Sequence, residues 1–251
     1  MSTTSAPPST SAAARAGTDA LEPRDRLIVA LDVADADAAL EVARRLSGHV
    51  GMLKIGLELF VAEGPSVVRR VREVAPDLEI FLDLKLHDIP NTMCGAIRSV
   101  RAFGVKFLTV HAGSGTAHLQ ACVEAAGDAV GILAVTVLTS QDEVACRQAG
   151  HTRALEDLVE MRAVCARDAG CAGVVCSGRE LSRVRAVAPR LARVVPGIRP
   201  AGADLGDQAR VMTPARAVAD GASYIVVGRP ILQAQDQAAA ADAIVRELAG
   251  S

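Results

Sequence analysis

The sequence predicts an α/β chain folded as a single-domain (β/α)8 barrel of the TIM type. Three observations predict it. From residue 26 onward, short runs rich in Val, Ile and Leu alternate with longer Ala-, Arg- and Glu-rich segments of helical period. Eight such strand–helix pairs occupy about 225 residues, the size of one barrel. Several of the short runs are apolar throughout, as strands covered on both faces of a parallel sheet are. The alternative is an open doubly wound sheet, which normally carries a glycine-rich phosphate turn after its first strand. Here the first strand runs into Leu31-Asp32-Val33-Ala34, with no glycine.

The predicted strands are Leu27–Leu31, Met52–Ile55, Glu79–Leu82, Lys106–Val110, Gly131–Val137, Gly173–Cys176, Arg193–Val195 and Tyr224–Val227. Helices between them include Asp35–Leu46, Pro65–Val74, Thr92–Ala102, Leu155–Ala169 and Thr213–Ala219, with a last one near Ala238–Leu248. Asp35 and Thr213 are N-cap candidates, because their side-chain oxygens can accept from the free N–H groups of a first helical turn.

A chain of 251 residues can bury a large core without disulfide staples. Half of it is apolar, yet its aromatics are one Tyr, four Phe and no Trp, so the core has to be aliphatic. The same poverty argues against a base-stacking platform for single-stranded nucleic acid. Net charge is −2 from 27 basic and 29 acidic residues, which gives no electrostatic case for a nucleic-acid or membrane-surface partner. The six cysteines lack paired Cys-x-x-Cys spacing and several sit in apolar runs. They read as reduced structural thiols of a cytoplasmic protein. No apolar run reaches the roughly 18–20 residues that span a bilayer. Residues 1–20 are rich in Ser, Thr, Ala and Pro and lack the basic start and apolar stretch of a secretory signal. They predict a disordered tail over residues 1–22, ahead of a catalytic barrel over 23–251.

Barrel chemistry gathers where strands end at the carboxyl face. Strand 1 ends at Asp32, and strand 2 contains Lys54. Strand 3 ends at Asp83, with Lys85, His87 and Asp88 just beyond. Strand 4 ends at His111, strand 5 at Thr139 and Ser140, and strand 6 at Ser177. Strand 7 leads into Gly197-Ile198-Arg199-Pro200, and strand 8 ends at Gly228-Arg229.

The strand-3 segment is the richest. Alternation points Asp83 and Lys85 the same way, so two carboxylates and one or two ammonium groups share a confined mouth. Opposite charges keep each group ionised while the carboxylates repel one another. Such a cluster suits a substrate whose charge changes during reaction. Asp83 would repel a substrate carboxylate, and Lys85 would stabilise a developing carbanion and protonate it. The bland alternative is an ion-pair ring that only closes the barrel. Lys54 and the turn after Asp88 count against it, as does the poor return on burying charges for stability alone.

Around strand 8, Ile225-Val-Val-Gly228-Arg229-Pro resembles a barrel phosphate site. The loop from Gly197 to Gln208, with Arg199, could fold over the same phosphate as a lid. The alternative is an ordinary turn with Arg229 in solvent. His111 is either an acid–base group or an oriented structural residue. His49, His118 and His151 read as surface residues. No His, Asp or Glu set has convincing metal-ligand spacing, and Lys85 between Asp83 and Asp88 argues against a magnesium ion there. Neither metal nor cofactor is expected.

These motifs, taken together, resemble a known family. Leu31-Asp32-Val33, Leu53-Lys54-Ile55-Gly56, Phe81-Leu82-Asp83-Leu84-Lys85-Leu86-His87-Asp88-Ile89-Pro90-Asn91-Thr92, Val135-Thr136-Val137-Leu138-Thr139-Ser140, Pro196-Gly197-Ile198-Arg199-Pro200 and Val227-Gly228-Arg229-Pro230 are similar to motifs of bacterial orotidine 5′-phosphate decarboxylases, in order over about residues 26–232. The resemblance implies roles. Asp83 would face the substrate carboxylate and Lys85 would protonate carbon 6 of the pyrimidine. Lys54 would bridge Asp83 and the ribose, and Asp32 would bind the ribose. Thr92 and Thr139 would contact the nucleotide, with Ser140 a second contact beside Thr139. Gln208, Gly228 and Arg229 would hold the phosphate, with Arg199 shaping the lid. A homodimer is implied, in which Asp88 reaches the partner's site. The product would be uridine 5′-phosphate, the last step of its de novo synthesis. Two other readings use the same residues: a metal-assisted sugar-phosphate lyase or aldolase, and a non-catalytic nucleotide-binding barrel.

Overall fold

A computed structural model of the chain describes residues 21–200 and 212–250. Eight parallel strands close a barrel in chain order, each paired with the next and the last with the first. They are β1 (Leu27–Ala30), β2 (Met52–Gly56), β3 (Glu79–Leu86), β4 (Phe107–His111), β5 (Gly131–Val135), β6 (Gly173–Val175), β7 (Ala192–Val195) and β8 (Tyr224–Val227). Every predicted strand is present. β3 runs on to Leu86, past the expected end at Leu82, and β5 stops at Val135, short of Val137. The tail expected over residues 1–22 lies outside the described residues except for Leu21 and Glu22. Leu21 packs against the barrel floor, and its carbonyl accepts from Arg26 Nε at 3.2 Å.

The helices follow the strands as α1 (Ala36–Leu46), α2 (Leu57–Glu63), α3 (Ser66–Val74), α4 (Pro90–Val100), α5 (Thr116–Ala126), α6 (Glu143–Gln148), α7 (Leu155–Asp168), α8 (Leu181–Val187), α9 (Pro214–Ala219), α10 (Arg229–Leu232) and α11 (Gln237–Ala249). Asp35 caps α1 by accepting from the Ala38 N–H at 2.9 Å, and Thr213 caps α9 by accepting from Arg216 N–H at 3.3 Å. Substituting such a cap costs about 1 kcal/mol. α4 begins at Pro90, two residues before the expected Thr92. Proline suits that first position, where its missing N–H is not needed. No helix among the described residues is long and apolar enough to cross a membrane.

Alternation along the strands sorts the side chains into two layers. Leu27, Val29, Leu53, Ile55, Ile80, Leu82, Leu108, Val110 and Ile225 belong to the cluster shared with the surrounding helices. Ile28, Ala30, Met52, Phe81, Phe107, Leu133, Ala192, Val194, Tyr224 and Val226 form a second cluster, which fills the barrel. Three of the five aromatic residues sit in this plug. Phe107 meets Phe81 edge-on at 6.4 Å between centroids and Tyr224 at 5.7 Å. Burying each such ring contributes about 1.5–3 kcal/mol. Gly131 makes room for the plug, since a Cβ there would lie 2.7 Å from the Phe107 ring. Two to four residues further along several strands, the same inward parity reaches Asp32, Lys54, Asp83, Thr109 and His111. The floor is therefore dry and aliphatic-aromatic, and the mouth is polar.

Candidate active site

At the mouth, Asp83 is the hub. It is 7 % exposed. Its Oδ2 lies 2.7 Å from Lys85 Nζ and 3.4 Å from Lys54 Nζ. Its Oδ1 accepts from the Thr109 hydroxyl at 2.9 Å. Lys54 Nζ also reaches Asp32 Oδ1 at 3.5 Å. The order Asp32, Lys54, Asp83, Lys85 thus alternates in sign from β1 to β3. Burial alone would push the Asp83 carboxyl up. The charges of Lys54 and Lys85, with hydrogen bonds from Lys85 and Thr109, outweigh it and hold that carboxyl below the usual range.

Regular alternation does not continue through this segment. The pairing of β3 with β4 slips between Leu82 and Leu86. Lys85 takes φ +49°, the only positive φ of a non-glycine residue among the described residues. Its backbone N–H donates to Thr109 Oγ1 at 2.9 Å. A non-glycine residue in this region stores on the order of 1–3 kcal/mol of strain and persists where its surroundings hold it. Bulges of this kind re-aim a side chain beside a site. The Lys85–Asp83 contact expected from the sequence is present, made by a bulge and not by plain alternation.

Asp32, Lys54, Asp83, Lys85, Thr139, Arg199, Gly228 and Arg229 all line one cavity of about 250 Å³. Eight of the residues expected at the site are thereby brought together, across six of the eight strand ends. Asp88 and Thr92 are not among them. Both are exposed, and Asp88 Oδ1 accepts from the Ile89 N–H at 2.7 Å. Ser140 is exposed too. Gln208, and the part of the expected lid over 201–208, lie outside the described residues. The segments flanking that stretch are paired: Arg199 N–H donates to the Met212 carbonyl at 3.0 Å. Ser177 is engaged structurally. It caps a 3-10 turn at Gly178–Glu180, with Glu180 answering to the Ser177 N–H at 2.8 Å. Among the described residues no group of three or more His, Cys, Asp and Glu side chains is placed to hold a metal.

Four observations go beyond or correct the sequence reading. Thr109, fully buried in β4, joins Asp83 to Lys85 and was not singled out. Its inward parity with Phe107 and His111 is the signal that marks it. His111 stands 5.4 Å from His87 between ring centroids, and His87 Nε2 meets Ser114 Oγ at 3.0 Å. Burial, followed by the charges of His87, Lys85 and Arg162, pushes His111 below its ordinary pKa. His118 is not a surface residue but is 8 % exposed on α5, with Nε2 unpartnered among the described residues. It precedes the buried Cys122 and Ala126 by four and eight residues, so it falls on that helix's buried stripe. His151 is half-buried and meets Arg162 at 3.2 Å.

This arrangement has counterparts. The family model described as Orotidine 5′-phosphate decarboxylase / HUMPS family matches residues 25–244. The chain belongs to this family. Among its relatives in the orotidine 5′-phosphate decarboxylase / HUMPS family, a protein named orotidine 5′-phosphate decarboxylase from Anaeromyxobacter sp. (strain K) is 51% identical over 229 residues, covering 91% of this chain and 100% of the relative. A second of that name, from Moorella thermoacetica, is 49% identical over 235 residues, covering 90% of this chain and 92% of the relative. A crystal structure of orotidine 5′-phosphate decarboxylase from Lactobacillus acidophilus superposes with a TM-score of 0.78 at 34% identity, covering 88% of this chain and 98% of that one.

Proposed function

We propose that the chain is an orotidine 5′-phosphate decarboxylase, a carboxy-lyase that forms uridine 5′-phosphate and CO2 in the last step of de novo synthesis of that nucleotide. The observation that carries this reading is the Lys85 ammonium 2.7 Å from a buried Asp83 carboxylate at the mouth of the cavity. Family membership supplies the substrate.

The chemistry follows from the charges. Asp83, kept ionised by two lysines, sits against the substrate carboxylate and raises the free energy of the bound ground state. As the bond from carbon 6 to the carboxylate breaks, CO2 departs neutral and that repulsion disappears. The electron pair left on carbon 6 is stabilised by the Lys85 ammonium, which then transfers a proton to it and is reprotonated from solvent. Interactions that strengthen only as charge moves onto carbon 6 lower the barrel's catalytic barrier and not merely the binding free energy. Lys54 and Asp32 take the ribose hydroxyls, and Thr139 takes the pyrimidine. Arg229, Gly228 and Gln208 take the phosphate, with Arg199 shaping the loop between them. No metal or cofactor is needed for these steps.

The enzyme works as a cytoplasmic homodimer in this reading. Asp88 completes the partner's site, which accounts for its exposure in the single chain, and Thr92 contacts the nucleotide. The apolar side chains of Ile89, beside Asp88, and of Leu57 and Val61 on α2 are 67, 56 and 73 % exposed and would be covered by the partner. Mixing inactive Lys85→Ala and Asp88→Asn chains tests this. A shared site restores about a quarter of the activity by random pairing, and no restoration rules it out. The reaction itself is tested by incubating the protein with orotidine 5′-phosphate. Equimolar CO2 and uridine 5′-phosphate are expected, and an unchanged substrate pool contradicts the reading.

A further inference from the structure

Arg162, on α7, takes no part in the chemistry above and does not line the cavity. Its guanidinium is half-buried, and its Nε is buried with no hydrogen-bond partner among the described residues. Burial holds its pKa below the usual value, and the ionisable groups that counter this are two thiols, Cys146 and Cys165, not a carboxylate. A cation kept from water without an anionic partner is costly, so its retention calls for an explanation in what it holds.

Its terminal nitrogens reach three segments. Nη1 donates to the Thr136 carbonyl, just past the end of β5, at 2.6 Å. Nη2 reaches His151 Nε2, in the connection between α6 and α7, at 3.2 Å. The same Nη2 lies against Gly113 in the turn after β4, 3.4 Å from where a Cβ would stand. Thr136 in turn ties β5 to β6. Its N–H and its hydroxyl donate to the Val175 carbonyl at 3.1 and 2.9 Å. Val175 lines the cavity, and so does Thr139, three residues beyond Thr136. A planar guanidinium can serve these directions at once in fixed geometry, whereas a lysine ammonium is a point charge on a flexible stem.

We propose that Arg162 is a positioning residue that brackets the ends of β4, β5 and β6 from behind and so sets Thr139 against the substrate. The role assigned to Thr139 rests on the decarboxylase reading, while the bracket itself does not.

The test uses the full-length protein with Arg162→Ala, Thr139→Ala and the double variant. Amide hydrogen exchange without ligand reads the bracket directly. Arg162→Ala is expected to speed exchange over residues 112–115 and 136–140 and leave β1 to β3 unchanged. Unchanged exchange in those two segments overturns the proposal whatever the activity. In kinetics, Arg162→Ala is expected to lower kcat/KM on the order of tenfold to a hundredfold, since misplacement of about 1 Å costs that much. Adding Thr139→Ala should then cost little more, because both changes remove the same contact. Losses that simply multiply overturn the proposal. Arg162→Lys keeps the charge but not the fork and should behave like Arg162→Ala; full activity in it overturns the proposal as well. Should Arg162→Ala not fold, Arg162→Gln, which keeps one donor, carries the same cycle. If the unmodified protein does not turn over orotidine 5′-phosphate, the decarboxylase reading fails and the exchange measurement alone decides the bracket.

Discussion

Asp83 and Lys85, 2.7 Å apart at Oδ2 and Nζ, are held by one shared hydroxyl: Thr109 Oγ1 donates to Asp83 Oδ1 and accepts from the Lys85 N–H, each at 2.9 Å. The hydroxyl therefore fixes both the orientation of the carboxylate and the unusual backbone that aims the ammonium at it.

Thr109→Val keeps the shape and removes that hydroxyl. It leaves a backbone N–H at the bulge without its acceptor and Asp83 with one donor fewer. Thermal or urea unfolding is expected to show a loss of about 1–3 kcal/mol. The variant should also lose activity by more than its loss of folded protein explains. Unchanged stability and activity would mean that the Lys85 backbone is held by something else.

Acid should destabilise the protein in two stages. His111 has a folded pKa below its unfolded value of about 6.5, chiefly through burial. Its neutral form favours the folded state, so its contribution is complete above about pH 6.5 and is lost as pH falls toward the folded value. Asp83 also has a depressed folded pKa. Its contribution is present above the unfolded value of about 3.9 and is lost only as pH falls through the folded one. Urea midpoints measured from pH 7 down to pH 4 should therefore decline first through His111, and His111→Gln should flatten that first decline. An equal decline in the variant assigns it to another group.

Arg229 lines the cavity from the first turn of α10. Arg229→Ala should lower kcat/KM about ten- to a hundredfold, the effect of losing a hydrogen bond from a charged donor worth about 1.5–3 kcal/mol. Tm should barely move, because the residue is exposed. An unaltered kcat/KM would remove Arg229 from the phosphate site.

Burial pushes the thiols of Cys171 and Cys176 up to about 12 and that of Cys122 to about 11. Thiolate is the reactive form, so these three should resist iodoacetamide at pH 7.5 in the folded protein and react on addition of urea. Mass spectrometry of labelled peptides reads the difference. Labelling of Cys176 in the native state would contradict its burial.

Much of this site was legible because inward parity is written into each strand. Lys54 follows Met52 and Asp83 follows Phe81, so an apolar floor and a charged mouth can be read from spacing alone. Thr109 was hidden by the same logic, as one hydroxyl in an apolar strand looks like core. The positive φ of Lys85 has no local signature, since it depends on an acceptor 24 residues away in β4. Arg162 reads as one more charge on a charged helix, and only the fold shows that it meets β5. Asp88 and Thr92 were visible as a motif, but the single chain leaves both exposed and outside the cavity. His118 was misread from its polarity, although its spacing from Cys122 and Ala126 marks a buried stripe.

The central claim is that Lys85, held by Asp83, performs a decarboxylation that needs no metal. Its most direct test is kcat/KM for orotidine 5′-phosphate, measured in excess chelator for the unmodified protein and for Lys85→Ala. The account predicts full turnover by the unmodified protein and a loss of at least about a thousandfold in a folded Lys85→Ala, from the missing proton donor and the missing charge together. No turnover in chelator, or a Lys85→Ala variant within about tenfold of the unmodified protein, a barrier difference of only about 1.4 kcal/mol, would contradict it.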